Sequence, residues 1–239
     1  MDVTAGLNLG VFKLPIGFIK LVELLFATLS FSTTAGYNYC WRYSCGGNTT
    51  FSEGLSRMCW HYPYRLSEIF VQTCRGTPSP VANEDVSGPA QFIVAIGVIT
   101  LLYVLGITMI YIVSWHVYET EPWIPLVDFI ATGTLAFFWF ISSSIWANAV
   151  IRLRAVSSVG ALNHLLGCDM NNGCVFRTSS FGTLDISVLV GFTCFVLWLG
   201  NCWFVFKETS YGKRTLAQKE AANNMSPPTF GSTDQGALP

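Results

Sequence analysis

The chain has 239 residues, of which 51% are apolar and only 11% charged, with a formal net charge of -1. Soluble domains carry roughly 25% charged residues, so much of this chain must avoid water, and its mean hydropathy of +0.47 agrees. The near-neutral balance and the lack of any basic cluster argue against a nucleic-acid partner.

The first stretch, Met1 to Leu14, is a short polar lead. A first span is expected over about 15–38. It opens at Pro15, whose fixed backbone suits the first helical position, and holds the charge-free run Leu24 to Trp41. No clear small-residue cleavage site follows it, so it reads as a retained span. Lys20 and Glu23 lie three apart, on one face of that helix. The favoured place for them is the headgroup layer, with the lysine snorkelling outward. The alternative is a buried pair against a neighbouring helix.

The loop over 39–89 holds Cys40, Cys45, Cys59 and Cys74, several aromatics, and the sequon Asn48-Thr49-Thr50. It is expected to be a small folded cap with strands near Phe51 and Tyr62. The second span, about 90–114, sits within the charge-free run Val86 to Tyr118, and Gly97 and Gly106 within it are expected to mark close helix contacts. The third, about 125–150, has no charge after Asp128 until Arg152. At about 1.5 Å per residue it is long enough for a hydrocarbon core of roughly 30 Å.

Small residues of the third span, Ala136, Ser143 and Ala147 among them, alternate with Phe and Trp. Small residues allow close helix approach in lipid. The face they form packs either inside the bundle or against a partner helix. Asp128 stands about one turn into the span, where capping or hydration at the interface is its expected role, and Asn148 and Asn201 are the other polar residues that stand out. The loop over 151–184 contains Cys168 and Cys174 around Asn171-Asn172-Gly173, a run that favours a turn. The fourth span covers about 185–206, with Cys194 and Cys202 as ordinary buried thiols. From Lys207 the sequence turns polar, and 212–239 is expected to be a disordered cytoplasmic tail.

No catalytic constellation is present. His61, His116 and His164 lie on different segments, and there is no Gly-rich phosphate loop or HExxH motif. No cofactor is implied. His164, Cys168 and Cys174 could be drawn as zinc ligands, but in a lumenal loop a disulfide is the better reading. Lysines and arginines fall about equally on the two sides, so they do not orient the chain. The cysteines do: all six loop cysteines and the sequon fall on one side, which must be oxidising if disulfides are to persist. Both termini are therefore expected to be cytoplasmic, with Asn48 glycosylated on the other side.

Several segments together resemble the synaptophysin family: Leu14 to Lys20, Tyr62-Pro63-Tyr64-Arg65-Leu66, Thr73-Cys74-Arg75-Gly76, Leu126 to Thr132, Ser142 to Ala147 and Gly200 to Thr209. The resemblance covers most of Leu14 to Tyr211, in order. It implies an all-α membrane protein, a MARVEL-like bundle of four transmembrane helices with two disulfide-stapled lumenal loops. It further implies synaptic or secretory vesicles, a role in exocytosis and vesicle recycling, self-association, a cholesterol-rich bilayer, and the vesicle SNARE synaptobrevin as partner. Cys45 and Cys74 match the family's first-loop positions, and Cys168 and Cys174 its second-loop pair. Cys40 and Cys59 are additions that could pair with each other, although four cysteines allow three connectivities. The tail departs from the neuronal pattern, having one Tyr211-Gly212 and no repeat, which keeps non-neuronal relatives of the pantophysin and mitsugumin kind in view. Two other functional classes remain: an oligomeric vesicle channel and a structural organiser of membrane junctions.

Overall fold

The computed structural model describes residues 9–45, 56–83, 85–168 and 174–224. The lead turns through a 3-10 helix, Leu9–Lys13, into α1, Pro15–Ala35. Strand β1, Asn38–Ser44, and β2, Ser56–His61, follow, then β3, Phe70–Gln72, and β4, Pro78–Pro80. Helix α2 is Ser87–Val113, α3 Trp115–Thr120, α4 Trp123–Val156 and α5 Val159–Leu166. Strand β5, Val175–Thr178, leads into α6, Gly182–Glu208, and α7, Ser210–Asn224.

Helices α1, α2, α4 and α6 are each long and apolar enough to cross a membrane. They run alternately up and down. Helix α1 packs on α2 and α6, and α4 packs on the same two from the other side, which closes a four-helix ring. The bundle's outer surface is apolar: Phe18, Leu25, Leu102, Met109, Phe137, Leu189 and Val196 are all exposed. Such a surface fits lipid, where every backbone polar group must be satisfied within the helix.

Inside, helices meet through small residues and indole donors. A Cβ added to Gly191 on α6 would lie 2.6 Å from Ser143 Oγ on α4, so any side chain there would force the Ser143 hydroxyl aside. Trp139 Nε1 on α4 donates to Thr100 Oγ1 on α2 at 3.1 Å, and Trp146 Nε1 on α4 donates to Ser187 Oγ on α6 at 2.8 Å. Bonds of this kind between membrane helices contribute about 0.6–2 kcal/mol each.

At the loop end the chain builds the expected cap. Strand β1 is central in a three-stranded antiparallel sheet of order β2-β1-β5, so the second loop completes a sheet begun by the first. Alternation along β1 turns Tyr39, Trp41 and Tyr43 inward and leaves Arg42 outward. Strands β3 and β4 pair separately. Tyr64 joins cap to bundle: its ring stacks on Trp146 at 5.8 Å, and its hydroxyl donates to the Thr34 carbonyl.

Two expectations change. Residues 210–224 form α7 rather than an irregular tail, because Lys213 to Asn224 is dense in good helix formers; residues 225–239 lie outside the described part. Helix α4 runs on past the expected end of its span to Val156, carrying Arg152 and Arg154 beyond the apolar stretch, and α5 follows at once. Ser158 Oγ caps α5 by accepting from Ala161 N, and Gly167, at φ 67°, ends it in the left-handed conformation.

Candidate functional site

Two polar clusters sit inside the bundle, both near the end that carries the termini. The first surrounds Asp128. Its carboxylate is buried rather than hydrated at an interface. Tyr111 and Tyr118 donate to Oδ2, the latter at 2.9 Å, while Tyr103 and Thr132 donate to Oδ1. The acceptor lies on α4 and the phenols come from α2 and α3. Tyr103 and Tyr111 are eight residues apart, which places them on one face of α2, and α3 folds back so that Tyr118 reaches the same oxygen as Tyr111. Burial first, and the Asp128 charge second, hold the Tyr118 phenol far above its ordinary range, so it stays a donor.

The second cluster is Lys20, Glu23, Trp198 and Asn201. Lys20 and Glu23 are 0% and 1% exposed. The headgroup placement is thus replaced by the buried one, because α1 turns this face toward α2 and α6 rather than outward. Lys20 Nζ is 3.2 Å from Glu23 Oε2, and it lies over two aromatic rings, 4.9 Å from Trp198 and 5.6 Å from Tyr103. Such cation–π contacts contribute about 2 kcal/mol when desolvated. Asn201 faces Glu23. Yet Lys20 Nζ, both Glu23 oxygens, both Asn201 amide atoms and Trp198 Nε1 lack an aligned hydrogen bond to the protein.

Asn148, the other asparagine singled out in the spans, is exposed and accepts from Arg152 Nε at 3.1 Å on the helix surface. The small face of α4 divides. Ser143 is fully buried against Gly191, Ala136 is buried at 2% exposed, and Ala147 is half-buried. Ser143 therefore packs within its own bundle and is not open to a partner, because α6 already occupies that side. Ala136 instead forms, with Gly133, the floor of an apolar groove of about 260 Å³ between α4 and α6, walled by Phe137, Phe140, Phe195 and Leu199.

In the cap, Cys40 pairs with Cys59, Cys45 with Cys74 and Cys168 with Cys174. The last pair settles the choice between disulfide and zinc for those two residues. Cys74 Sγ and Cys174 Sγ are 3.7 Å apart, so two disulfides lie side by side, and Cys74 N donates to the Leu166 carbonyl at 3.0 Å. The first and second loops are thus joined at a second place besides the sheet. These sulfurs cluster closely enough to suggest a metal centre, but none of them is a free thiolate. Burial pushes the Tyr37 phenol up to about 12, and it donates to the Ser180 carbonyl at 2.6 Å. Asn48, Phe51 and Asn171 to Gly173 lie outside the described residues.

The sequence reading missed the three tyrosines around Asp128 and the aromatic rings over Lys20. Spacing held a signal for part of this, since Tyr103, Tyr111 and Tyr118 recur at intervals of eight and seven ahead of Asp128. The profile of the MARVEL membrane-associating domain matches residues 12–204, which take in the first three spans, most of the fourth and both polar clusters. A match over that much of the chain, on a bundle of four membrane-length helices with stapled loops, means that this chain belongs to the MARVEL membrane-associating family.

Proposed function

We propose that the protein is a non-enzymatic, multi-pass component of synaptic or secretory vesicle membranes that organises a vesicle SNARE of the synaptobrevin type during exocytosis and recycling. The single observation that carries this reading is the groove between α4 and α6. Its floor of Gly133 and Ala136 allows close approach, and its Phe and Leu walls match an apolar transmembrane helix. The resemblance to synaptophysins supplies the identity of the partner, together with self-association and the cholesterol-rich setting. Both termini are cytoplasmic in this reading, and the sheet and its disulfides face the lumen.

Gly133 gives a clean test. A Cβ there meets nothing within 4 Å, so Gly133→Leu fills the groove without disturbing the chain's own packing. Co-isolation of synaptobrevin from mild detergent should fall severalfold, while glycosylation at Asn48 and vesicle delivery persist. Ser143→Leu would break the bundle instead and cannot serve. Protease added to intact vesicles should remove tags from both ends; a protected C-terminal tag overturns the orientation. If the unmodified protein never co-isolates with a vesicle SNARE, single-channel recording and surface labelling decide between an oligomeric channel and a junction organiser.

A further inference from the structure

Helix α4 begins and α6 ends at the same end of the bundle, where the membrane-length stretches stop. An open pocket of about 310 Å³ lies there between α4 and α7. Pro122, Trp123 and Leu126 line it from the entry to α4, and Ser210, Tyr211 and Arg214 from the start of α7. The hinge between α6 and α7 holds it in shape. Thr209 is buried and extended, at φ -66° and ψ 153°. Its Oγ1 donates to the Phe206 carbonyl at 2.7 Å and accepts from Gly212 N at 3.1 Å. A Cβ on Gly212 would collide with the Phe206 carbonyl oxygen, so the start of α7 is pressed against the end of α6.

Apolar surface and positive charge meet in this pocket. Trp123, Leu126 and Tyr211 are exposed, and Trp and Tyr at the ends of spans settle at the level of the lipid headgroups. Two of the neighbouring cations are engaged: Lys207 Nζ lies 5.3 Å from the Trp203 ring centroid, and Lys213 Nζ is 3.5 Å from Glu208 Oε2. Arg214 is exposed and makes no ion pair among the described residues. An arginine lays its methylene stem along apolar surface and keeps its guanidinium toward water. Whichever part of Arg214 forms the wall, its charge therefore stays at the margin of the pocket. Glu121 precedes Pro122 but does not line the pocket.

We propose that this rim pocket is a binding site for an anionic phospholipid of the adjoining leaflet, with the phosphate paired to Arg214 and the upper part of the acyl chains laid on Trp123 and Leu126. Guanidinium and phosphate form charge-assisted hydrogen bonds in matched, two-pronged geometry. A neutral lipid gains the apolar walls but brings no net charge to Arg214. A soluble anion gains Arg214 but leaves the walls without a chain to cover them. The site needs the bilayer and no protein partner, and it does not depend on which way the chain is oriented across the membrane.

The test uses the full-length protein in phosphatidylcholine nanodiscs carrying a trace of phosphatidylserine with a diazirine on its acyl chain near the glycerol. A parallel sample carries phosphatidylcholine labelled in the same way. After photolysis, peptide mass spectrometry reads the label on Pro122 to Leu126 and Thr209 to Arg214, divided by the label on the lipid-facing Leu102 and Val196. At low salt the normalised label from phosphatidylserine should exceed that from phosphatidylcholine by about fivefold, the effect of one basic residue at an anionic surface. The ratio should fall toward one at about 1 M salt. Arg214→Gln should abolish the preference, while Lys219→Gln, exposed on α7 outside the pocket, should leave it. Soluble glycerophosphoserine, equimolar with the labelled lipid, should not reduce the label. Unchanged thermal unfolding identifies variants that remain folded, and should Arg214→Gln fail to fold, the salt dependence of the unmodified protein decides. A ratio near one at low salt, a preference that survives salt or Arg214→Gln, or one lost equally in Lys219→Gln overturns the proposal. Displacement by glycerophosphoserine overturns it as well, since the pocket would then hold free anions rather than a lipid.

Discussion

The two polar clusters inside the bundle lie in the same half of the molecule and share Tyr103, yet they are built on opposite terms. Asp128 accepts from four hydroxyl groups contributed by three helices. Lys20 and Glu23 sit on one helix, three residues apart, and meet aromatic rings and an amide that do not complete their hydrogen bonds. The difference shows what an intramembrane charge can do for a bundle. A carboxylate met by donors from several helices ties those helices together, because each donor would otherwise be a buried orphan. An ion pair closed within one helix ties little, and its desolvation can outweigh its attraction.

Removing the acceptor of the saturated cluster should have the largest effect. Asp128→Ala leaves three phenols and Thr132 facing an empty side chain, and hydrogen bonds to charged groups contribute about 1.5–3 kcal/mol each without full additivity, so a loss of about 5 kcal/mol is expected. Thermal unfolding in nanodiscs measures it. A loss below about 1 kcal/mol would mean that the phenols find other partners and that the cluster is not a tie.

The ion pair should behave as a unit. Lys20→Met alone strands the Glu23 carboxylate among apolar groups, at an expected cost of about 3 kcal/mol. Changing both, as Lys20→Met with Glu23→Leu, should return stability to within about 1 kcal/mol of the parent, since well-packed apolar replacements of buried pairs are often neutral. A double-mutant cycle in the same nanodiscs reads the coupling directly. If the two losses simply add, the pair is not the energetic unit the 3.2 Å contact suggests.

Tyr118→Phe probes one thread of the Asp128 cluster. It removes the bond from α3 and leaves those from α2 in place, so a cost of about 1.5 kcal/mol is expected. Hydrogen exchange should then rise in α3, Trp115–Thr120, and not in α2. Equal exchange in both helices would mean that α3 is held by Trp115 stacking rather than by its phenol.

Much of this architecture was legible because its cause is local. A charge-free run of membrane length is a helix in lipid whatever its neighbours are, and all four spans follow from that. Cysteine placement and the family resemblance pointed to the Cys168–Cys174 pair, but the first loop's four cysteines left three connectivities open, and only the structure pairs Cys40 with Cys59 and Cys45 with Cys74. What stayed hidden is non-local. Strand β5 joins β1 across more than a hundred residues, and nothing in Val175–Thr178 announces it. The depth of Lys20 depends on α1 being rotated toward Trp198, a fact of packing that hydropathy does not carry. Asp128 looked interfacial because it stands near a span's end, and the packing of α2 and α3 around it makes the site interior.

The smallest expected effect discriminates most sharply between the clusters. Asn201 is wholly buried, and both of its amide atoms lack an aligned partner. Burying a polar group without compensation costs about 1–3 kcal/mol by mutational measures. Asn201→Leu, of similar volume, removes that cost and adds apolar contact with the rings that already surround Lys20. Stability should therefore change by less than about 1 kcal/mol, in contrast with Asp128→Ala. Asn148→Ala serves as the surface reference, since its bond to Arg152 lies on an exposed helix face and should count for no more than about 0.5 kcal/mol. If Asn201→Leu instead costs more than about 2 kcal/mol, the amide is hydrogen-bonded in the membrane, by Glu23 or by water between them. The second cluster would then be a completed network like the first, and the contrast between a tied and an untied charge inside this bundle would disappear.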